Sequence, residues 1–381
     1  MNIEKFSISR DPALYEAWPD VAMTGSGKLV CVFTECAHHG DRSYTRIMLT
    51  DSDDEGRTWS VKRPLTEGTK GLPYSYNCAR ITPLRDGRLA IIVDRVPASG
   101  EKDNSQAVNV MYFSSDEGET WTPAVETPLR GIVPDKLLEL DCGRWIIAAH
   151  YAFKGRLTQF CQYSDDKGKT WSGEILIAFD KRYQLCEVSI LPLGGGKLVA
   201  FMRENSGVGR DCQKSVSYDN GETWGPLVDF PLPGCHRPVA GRLRDGRIFI
   251  TYRFMQGGKG WLGSWTQNFF AALTDAESAL SVRRSDAWTR IIPVDYDRSP
   301  KSDLGYSGWV ELADNSVYIV NYIVDDAIDR GQIRGYKLNV GDFLLGRRGV
   351  AQGGGCSDGA SVTAIHGEIG AMSGGRQNVV D

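Results

Sequence analysis

The sequence predicts an all-β fold, a six-bladed β-propeller with four-stranded antiparallel blades, and three observations carry this prediction. An eight-residue box returns four times, short apolar runs lie between its copies, and no helical period of any length competes with them. The 381 residues include 43 glycines and 10 tryptophans. Glycines without a collagen period indicate many turns, and many tryptophans indicate a repeated unit.

The box has the form S-x-D-x-G-x-T-W and occupies residues 52–59, 114–121, 164–171 and 217–224. Its aspartates stand 62, 50 and 53 residues apart, at Asp54, Asp116, Asp166 and Asp219. Ser and Asp side chains bond nearby backbone N–H groups, Gly supplies a positive φ, and Trp packs the turn onto its own sheet. We therefore expect each box to be a structural β-hairpin turn.

The segments between the boxes predict the strands of each blade. Apolar runs such as residues 28–34 and 44–50 precede a box and are introduced by Gly-containing turns. A unit of about fifty residues and four strands has the size of one propeller blade. Two further units lack a clean box: the fifth has a degraded turn at 274–278, and the sixth has strands at 316–322 and 332–337.

The two ends of the chain have different predicted roles. The N-terminal strand near residues 6–9 is expected to close the ring by joining the last blade. We predict one propeller over residues 1–342. Residues 343–381 are rich in glycine and poor in apolar patterning, which predicts a flexible tail.

Composition excludes several classes of function. The net charge is −4, from 44 basic and 48 acidic residues, so no surface for nucleic acid or an anionic membrane is indicated. No run of 18 apolar residues predicts a membrane span, and the N-terminus lacks a signal-peptide pattern, which predicts a cytoplasmic location. Nine scattered cysteines without a CxxC pair are interpreted as reduced core thiols, and no spacing typical of metal ligands predicts a metal or other cofactor.

Polar residues at the ends of inner strands are the candidates for a functional site. The innermost strands of a propeller converge on a central channel, and loops at one mouth form the pocket. The residues predicted to bind a substrate there are Trp18, Asp20, His38, His39, Arg80, Arg203, His236, Arg237 and Arg253.

A box of this form, repeated in a propeller, resembles the sialidase (neuraminidase) superfamily, and the resemblance covers nearly the whole chain apart from the tail. Residues 305–312, with Tyr306, resemble the segment that carries the family's tyrosine nucleophile. Residues 186–191, with Glu187, lead to Arg203 and resemble the segment with the tyrosine's glutamate partner and a carboxylate-binding arginine. The loop 38–41 lies where the family places its acid/base aspartate, which implies Asp41.

The resemblance implies an exo-acting glycoside hydrolase that cleaves a terminal acidic sugar, sialic acid or a related one, from a glycan. A carboxylate nucleophile would be repelled by the carboxylate on such a sugar, so the neutral Tyr306 would attack, with Glu187 as its base. Asp41 would protonate the leaving oxygen and then activate water. Arg203 would hold the substrate carboxylate.

The chain departs from the family pattern at two arginines. The family's first carboxylate-binding arginine precedes a proline in the first blade, where this chain has Trp18, and residues 265–268 offer no arginine before the fifth turn. Arg80, Arg237 and Arg253 are expected to rebuild a cationic clamp from other blades.

Two alternatives to a hydrolase stay open. One is a polysaccharide lyase or another uronate-acting enzyme, in which a cation neutralises the uronate and a Tyr or His moves protons. The other is a non-catalytic glycan-binding propeller. In all three hypotheses the partner is a glycan or oligosaccharide.

Overall fold

The structure is a computed structural model that describes residues 3–98, 104–256, 266–325 and 330–343. Within these ranges the strands form six four-stranded antiparallel sheets, one for each blade, which confirms the predicted fold class. Blade one contains β2 to β5, and each following blade takes the next strands in order. Blade six contains β22, β23 and β24 and is completed by β1.

The strands of the first three blades, preceded by β1, are β1 Glu4–Ser9; β2 Tyr15–Met23, β3 Leu29–His38, β4 Asp41–Ser52 and β5 Arg63–Pro64; β6 Tyr74–Pro83, β7 Leu89–Pro97, β8 Val108–Ser114 and β9 Val125–Arg130; β10 Leu138–Glu139, β11 Trp145–Phe153, β12 Arg156–Ser164 and β13 Ile175–Ala178. Those of the last three are β14 Leu185–Gly194, β15 Lys197–Glu204, β16 Asp211–Ser217 and β17 Val228–Pro233; β18 Cys235–Arg242, β19 Ile248–Gln256, β20 Thr266–Thr274 and β21 Arg290–Tyr296; β22 Leu304–Glu311, β23 Ser316–Ile323 and β24 Gln332–Asn339.

The N-terminal strand closes the ring, as the sequence predicted. β1 pairs antiparallel with β24, with Phe6 opposite Gly335. The first strand of the chain is therefore the outermost strand of the last blade, and its hydrogen bonds tie the beginning of the propeller to its end. The predicted tail lies almost entirely in residues 344–381, outside the described residues.

The four boxes form nearly identical hairpin turns. In each, the aspartate Oδ1 accepts from the serine hydroxyl at 2.7–2.8 Å and from the threonine N–H at 2.8–2.9 Å. The glycine N–H donates to the serine oxygen at 2.8–2.9 Å. Each box thus satisfies the polar groups of its own tight turn, as expected from its residue types.

Blades five and six lack the box for two different reasons. In blade five, a short helix, α1 (Ala276–Leu280), replaces the turn; Asp275 caps it by accepting from the Ser278 N–H at 2.8 Å, and the Trp288 indole N–H donates to Asp275 at 3.0 Å. The Asp and Trp contacts therefore persist without the turn. In blade six, the outermost strand comes from the other end of the chain, so no hairpin joins it to β24.

The apolar core is formed by residues that face each other across neighbouring blades. Between blades one and two, for example, Val32 and Ile47 pack in one buried cluster with Ile81 and Ile91. The cysteines at 31, 161 and 186 are buried and unpaired, in agreement with reduced core thiols. No helix in the described ranges is long and apolar enough to cross a membrane.

The inner strands share a backbone feature that positions the site. In β2, β6, β14, β18 and β22, one extra residue interrupts the pairing with the next strand at the same place. In four of these bulges the backbone φ is positive, at 54° for Trp18, 53° for Glu187, 48° for Arg237 and 50° for Tyr306. Such bulges re-aim side chains, and a positive φ in a bulky residue costs about 1–3 kcal/mol. The orientation of these four side chains therefore costs the propeller some stability.

Candidate active site

A tyrosine and a glutamate from two different blades, the sixth and the fourth, meet in the centre of the ring. The Tyr306 hydroxyl, from blade six, donates a hydrogen bond to Oε1 of Glu187 in blade four. Arg203 Nη1 donates to the same oxygen at 2.7 Å. Arg203 lies on β15, directly opposite Cys186 in the register, which explains why it reaches the neighbouring Glu187. The structure therefore brings together three of the residues that the sequence resemblance implied.

The charges around this pair keep the proton on the tyrosine. Burial alone would raise the pKa of Glu187, but the positive charges of Arg203 and Arg253 outweigh it and hold that pKa at about 2. Burial and the negative charge of Glu187 raise the pKa of Tyr306 well above its usual value of 10. The resting pair is a phenol beside a carboxylate, in which the carboxylate is ready to accept the phenolic proton as the oxygen attacks.

Asp303 is a central residue of the site that the sequence analysis did not identify. It precedes β22, and its carboxylate accepts hydrogen bonds from the Tyr15 hydroxyl at 2.6 Å, from the Tyr322 hydroxyl at 2.7 Å and from His39 Nδ1. Burial would raise the pKa of Asp303, but His39 and Arg253 outweigh this and lower it. The available signal was its position, three residues before Tyr306 at the start of an inner strand.

Trp18 takes the place where the family has its first arginine. The residue is 2% exposed, and its ring lies 5.4 Å from the ring of His39 and 6.5 Å from that of Tyr306. Arg42 on β4 stacks over the indole, with its guanidinium carbon 3.9 Å from the ring centroid. The first blade therefore brings a cation, Arg42, to this region from the hairpin between β3 and β4 rather than from its inner strand. The sequence analysis did not single out Arg42 as a substrate-binding residue.

Arg80 and Asp20 were predicted to bind a substrate, but both are buried and contact other groups of the protein. The Arg80 guanidinium is fully buried and donates to the carbonyl oxygens of Pro19 at 3.1 Å and Ser307 at 2.8 Å. Asp20 is equally buried and lies 3.5 Å from Arg80 and 3.0 Å from Lys136 Nζ. Carbonyl groups freed by the bulges need donors, and Arg80 supplies them.

Arg237 has the corresponding task on the other side of the ring, which corrects the expectation that it binds a substrate directly. Its guanidinium donates to the carbonyl oxygens of Val188 and Pro134, both at 3.0 Å. It is fully buried and lies 5.9 Å from the centre of the Tyr306 ring. Arg237 therefore supports the floor of the site and contributes positive charge below the tyrosine.

Arg253 and His236 lie together on the fifth blade, beside Tyr306. Arg253 Nη2 lies 3.4 Å from His236 Nδ1, and its guanidinium carbon is 5.5 Å from the centre of the Tyr306 ring. Burial and the charges of Arg203 and Arg253 lower the pKa of His236, so this imidazole is neutral. His150 is also neutral, since burial lowers its pKa to about 4, and its Nδ1 accepts from the Glu187 N–H at 3.3 Å.

The hairpin between β3 and β4 places only one of its three predicted site residues in the centre. His39 bonds Asp303, whereas His38 and Asp41 are exposed. The Asp41 carboxylate accepts from the Ser43 N–H at 2.9 Å, a local turn contact that lowers its pKa. Of the three, the residue that reaches the centre is therefore His39. Among the described residues, no group of three or more His, Cys, Asp or Glu is arranged to hold a metal ion.

Six blades, rim boxes and a central tyrosine–glutamate pair define a sialidase-like β-propeller. The family model described as a BNR repeat-like domain matches residues 76–319, and the chain belongs to this family.

One curated relative with a detectable sequence match is a sialidase of Clostridium perfringens. It is 25% identical over 165 residues, which cover 39% of this chain and 42% of that protein. The match thus spans less than half the length of the relative.

Solved structures share the fold at low identity. A protein of unknown function from Dyadobacter fermentans superposes with a TM-score of 0.71 at 21% identity, covering 88% of this chain and 99% of that chain. The intramolecular trans-sialidase of Ruminococcus gnavus gives 0.65 at 14% (87% and 96% covered), and the alpha-L-arabinanase of Penicillium chrysogenum gives 0.59 at 15% (89% and 99%). These similarities show the architecture, which sialidases share with an arabinanase.

Proposed function

We propose that this protein is a glycoside hydrolase that removes a terminal acidic sugar from a glycan through attack by Tyr306. The observation that carries the proposal is the hydrogen bond from the Tyr306 hydroxyl to the buried, ionised Glu187. As the phenolic oxygen forms a bond to the anomeric carbon, its proton passes to Glu187, and the bond to the leaving oxygen breaks as that oxygen takes a proton from a general acid. The same group then takes a proton from water, the resulting hydroxyl bonds to the anomeric carbon, and the released tyrosine oxygen recovers its proton from Glu187.

The charges near Tyr306 support an anionic sugar. The guanidinium carbons of Arg253 and Arg237 lie 5.5 and 5.9 Å from the centre of the tyrosine ring, and Arg203 lies beyond Glu187. The side chains of Arg203 and Arg253 are 12% and 6% exposed, so part of each reaches the accessible side of the site. A neutral phenol suits attack on a sugar that carries its own carboxylate, because a carboxylate nucleophile would be repelled.

The same pair argues against the two alternatives. A lyase that used Tyr306 as its base would need the phenolate form, and the adjacent Glu187 together with burial raises the pKa of Tyr306 and disfavours that form. A propeller that only binds glycans has no need for an ionised, buried glutamate on a strained backbone, whereas a catalytic site does.

Replacement of the nucleophile tests the proposal. Fluorogenic sialosides and uronosides, beside a polysaccharide panel, are incubated with the wild-type protein, with Tyr306→Phe and with Tyr296→Phe, an exposed tyrosine at the end of β21. We expect the wild type and Tyr296→Phe to release a saturated sugar, and Tyr306→Phe to lose on the order of 10³-fold or more in turnover. Wild-type turnover in Tyr306→Phe, or a product absorbing as an unsaturated uronate, would refute the proposal.

A further inference from the structure

We infer that His39 is the general acid and base of this site, held by Asp303, and that Asp41 has no part in the proton transfer. The inference rests on the proposed function, because it names the group that protonates the leaving oxygen in that reaction. Three observations carry it: the fixed position of Asp303, the side of His39 that is left for a substrate, and the location of Asp41.

Asp303 is held rigidly enough to orient an imidazole. Both of its oxygens accept hydrogen bonds from tyrosine hydroxyls, of Tyr15 at 2.6 Å and Tyr322 at 2.7 Å. Its backbone N–H donates to Asp297 Oδ2 at 2.9 Å, which fixes the chain just before β22. A carboxylate with these partners has little freedom to rotate away from His39. It therefore sets the direction of the ring that it binds.

His39 is bound to Asp303 through one ring nitrogen only, Nδ1. An imidazole that donates from Nδ1 to a carboxylate presents Nε2 as its acid or base, and the carboxylate stabilises the imidazolium form. The His39 side chain is 41% exposed, while that of Asp303 is 16% exposed, so the histidine is the accessible member of the dyad. With Nδ1 on Asp303, Nε2 is the ring nitrogen that remains for a leaving group.

The dyad and the nucleophile flank one aromatic residue. Trp18 contacts His39 on one side, with ring centres 5.4 Å apart, and Tyr306 on another, at 6.5 Å. Asp303 precedes Tyr306 by three residues on the same strand end, so the two groups share one support. This arrangement places the proposed proton donor and the nucleophile against the same indole ring, and hydrolysis through a covalent intermediate requires both groups at one site.

The proton balance of the reaction closes with these groups. In the first step the Tyr306 oxygen bonds to the anomeric carbon, its proton goes to Glu187, and the leaving oxygen takes the Nε2 proton of the His39 imidazolium. In the second step neutral His39 takes a proton from water, and the resulting hydroxyl oxygen bonds to the anomeric carbon. The tyrosine oxygen leaves and recovers its proton from Glu187, so the net change is addition of water across the glycosidic bond.

Charged and titratable groups from several elements act on this histidine. Asp303 bonds it directly, and Arg253 on β19 lies 3.8 Å from the other Asp303 oxygen. On its own hairpin, Arg42 Nε donates to the His39 carbonyl at 3.1 Å, and His38 and Asp41 are its close neighbours in sequence. Tyr15 faces the ring from β2, 6.2 Å away. Of these described groups, Asp303 is the one whose side chain hydrogen-bonds the His39 ring.

The test compares substrates that need a proton donor with substrates that do not. His39→Ala and Asp303→Asn are assayed on an alkyl glycoside and on an activated aryl glycoside of the same sugar. We expect His39→Ala to lose about 10²–10⁴-fold in kcat/KM on the alkyl glycoside and far less on the aryl glycoside, whose leaving group needs no protonation.

Asp41→Asn tests the alternative in which Asp41 is the acid and base. Ser43→Ala, at an exposed position on the same hairpin, is the matched control. Selective loss on the alkyl glycoside in Asp41→Asn and not in His39→Ala, or an equal loss on both substrates in His39→Ala, would overturn the inference. Asp303→Asn should show the same selective loss on the alkyl glycoside, because it removes the carboxylate that orients the His39 ring. Full activity of Asp303→Asn on the alkyl glycoside would also overturn the dyad.

The Tyr306→Phe variant separates this inference from the proposed function. If Tyr306→Phe is inactive while His39→Ala shows no dependence on the leaving group, the hydrolase stands and the dyad fails. If the wild type cleaves no glycoside, the proposed function fails, and the dyad, as the acid and base of that reaction, fails with it.

Discussion

The rim and the centre of this propeller repeat in opposite ways. At the rim, four boxes repeat the same residues and therefore the same hydrogen bonds, from Asp54 to Asp219. At the centre, the same bulge recurs in five inner strands, while the residue at its positive φ changes to Trp18, Glu187, Arg237 or Tyr306. A repeated sequence stabilises the ring, whereas a repeated backbone conformation with changing side chains builds the site.

Removing one carboxylate charge from each region tests whether the rim and the centre have separate roles. Glu187→Gln removes the base of Tyr306 and leaves Arg203 without its carboxylate partner. We expect a loss of about 10²–10⁴-fold in kcat on a fluorogenic acidic glycoside. Asp219→Asn removes the same charge from a rim box and should leave kcat within about twofold. If both variants lose turnover equally, the rim and the centre do not have separate roles.

The same contrast explains how far the sequence alone reaches. The box residues interact within eight positions of one another, so their spacing predicts the turn and the size of a blade, while apolar runs without a box predict the last two blades. Tyr306 and Glu187 lie 119 positions apart, and only the family resemblance predicted their roles and paired them. Asp303 and Arg42 match no motif, because their roles depend on contacts across blades, with His39 and Trp18 respectively.

The arginines also show what the sequence alone does not predict, namely which of them support the backbone and which lie in the site. Arg80 and Arg237 end up on backbone carbonyls that the bulges expose, while Arg203 and Arg253 lie beside Glu187 and Asp303. All four lie on or near inner strands, and nothing in their residue type distinguishes these tasks. The distinction depends on the bulge, a backbone conformation that bulky residues seldom adopt and that has no sequence signature here.

A second prediction concerns stability at the rim. Gly56 has a φ of +83°, and a Cβ added there would lie 2.2 Å from the ring of Tyr318 in blade six. Gly56→Ala should therefore lower the free energy of unfolding by about 3 kcal/mol, from backbone strain and overpacking together. Urea denaturation at pH 7 measures this change.

Gly87→Ala is the matched control for that variant, because Gly87 has a similar φ of +87° with nothing within 4 Å of the added Cβ. It should lose only the strain, about 1–2 kcal/mol. Equal losses in the two variants would show that the contact between the first box and Tyr318 does not contribute to closing the ring.

The smallest expected effect is a difference in how one central and one rim carboxylate make the free energy of unfolding depend on pH. The pKa of Glu187 is about 2, because the positive charges of Arg203 and Arg253 outweigh the effect of burial. The pKa of Asp54 is also about 2, because Thr58 donates hydrogen bonds to its carboxylate. A pKa lowered by folding gives stability that is present above the unfolded value of about 4.5 or 3.8 and is lost as the pH falls toward 2. Both groups therefore steepen the loss of stability between pH 4.5 and 2.

Solvent screening should separate the two contributions. Asp54 is partly exposed to water, which weakens its interactions, whereas Glu187 is 4% exposed and lies near the guanidinium groups of Arg203 and Arg253. Urea denaturation at several pH values should show a flatter acid limb for Glu187→Gln than for Asp54→Asn, and 0.5 M NaCl should change the Glu187 contribution less. A flatter limb for Asp54→Asn would mean that the rim governs acid unfolding and that the charged centre adds little to it.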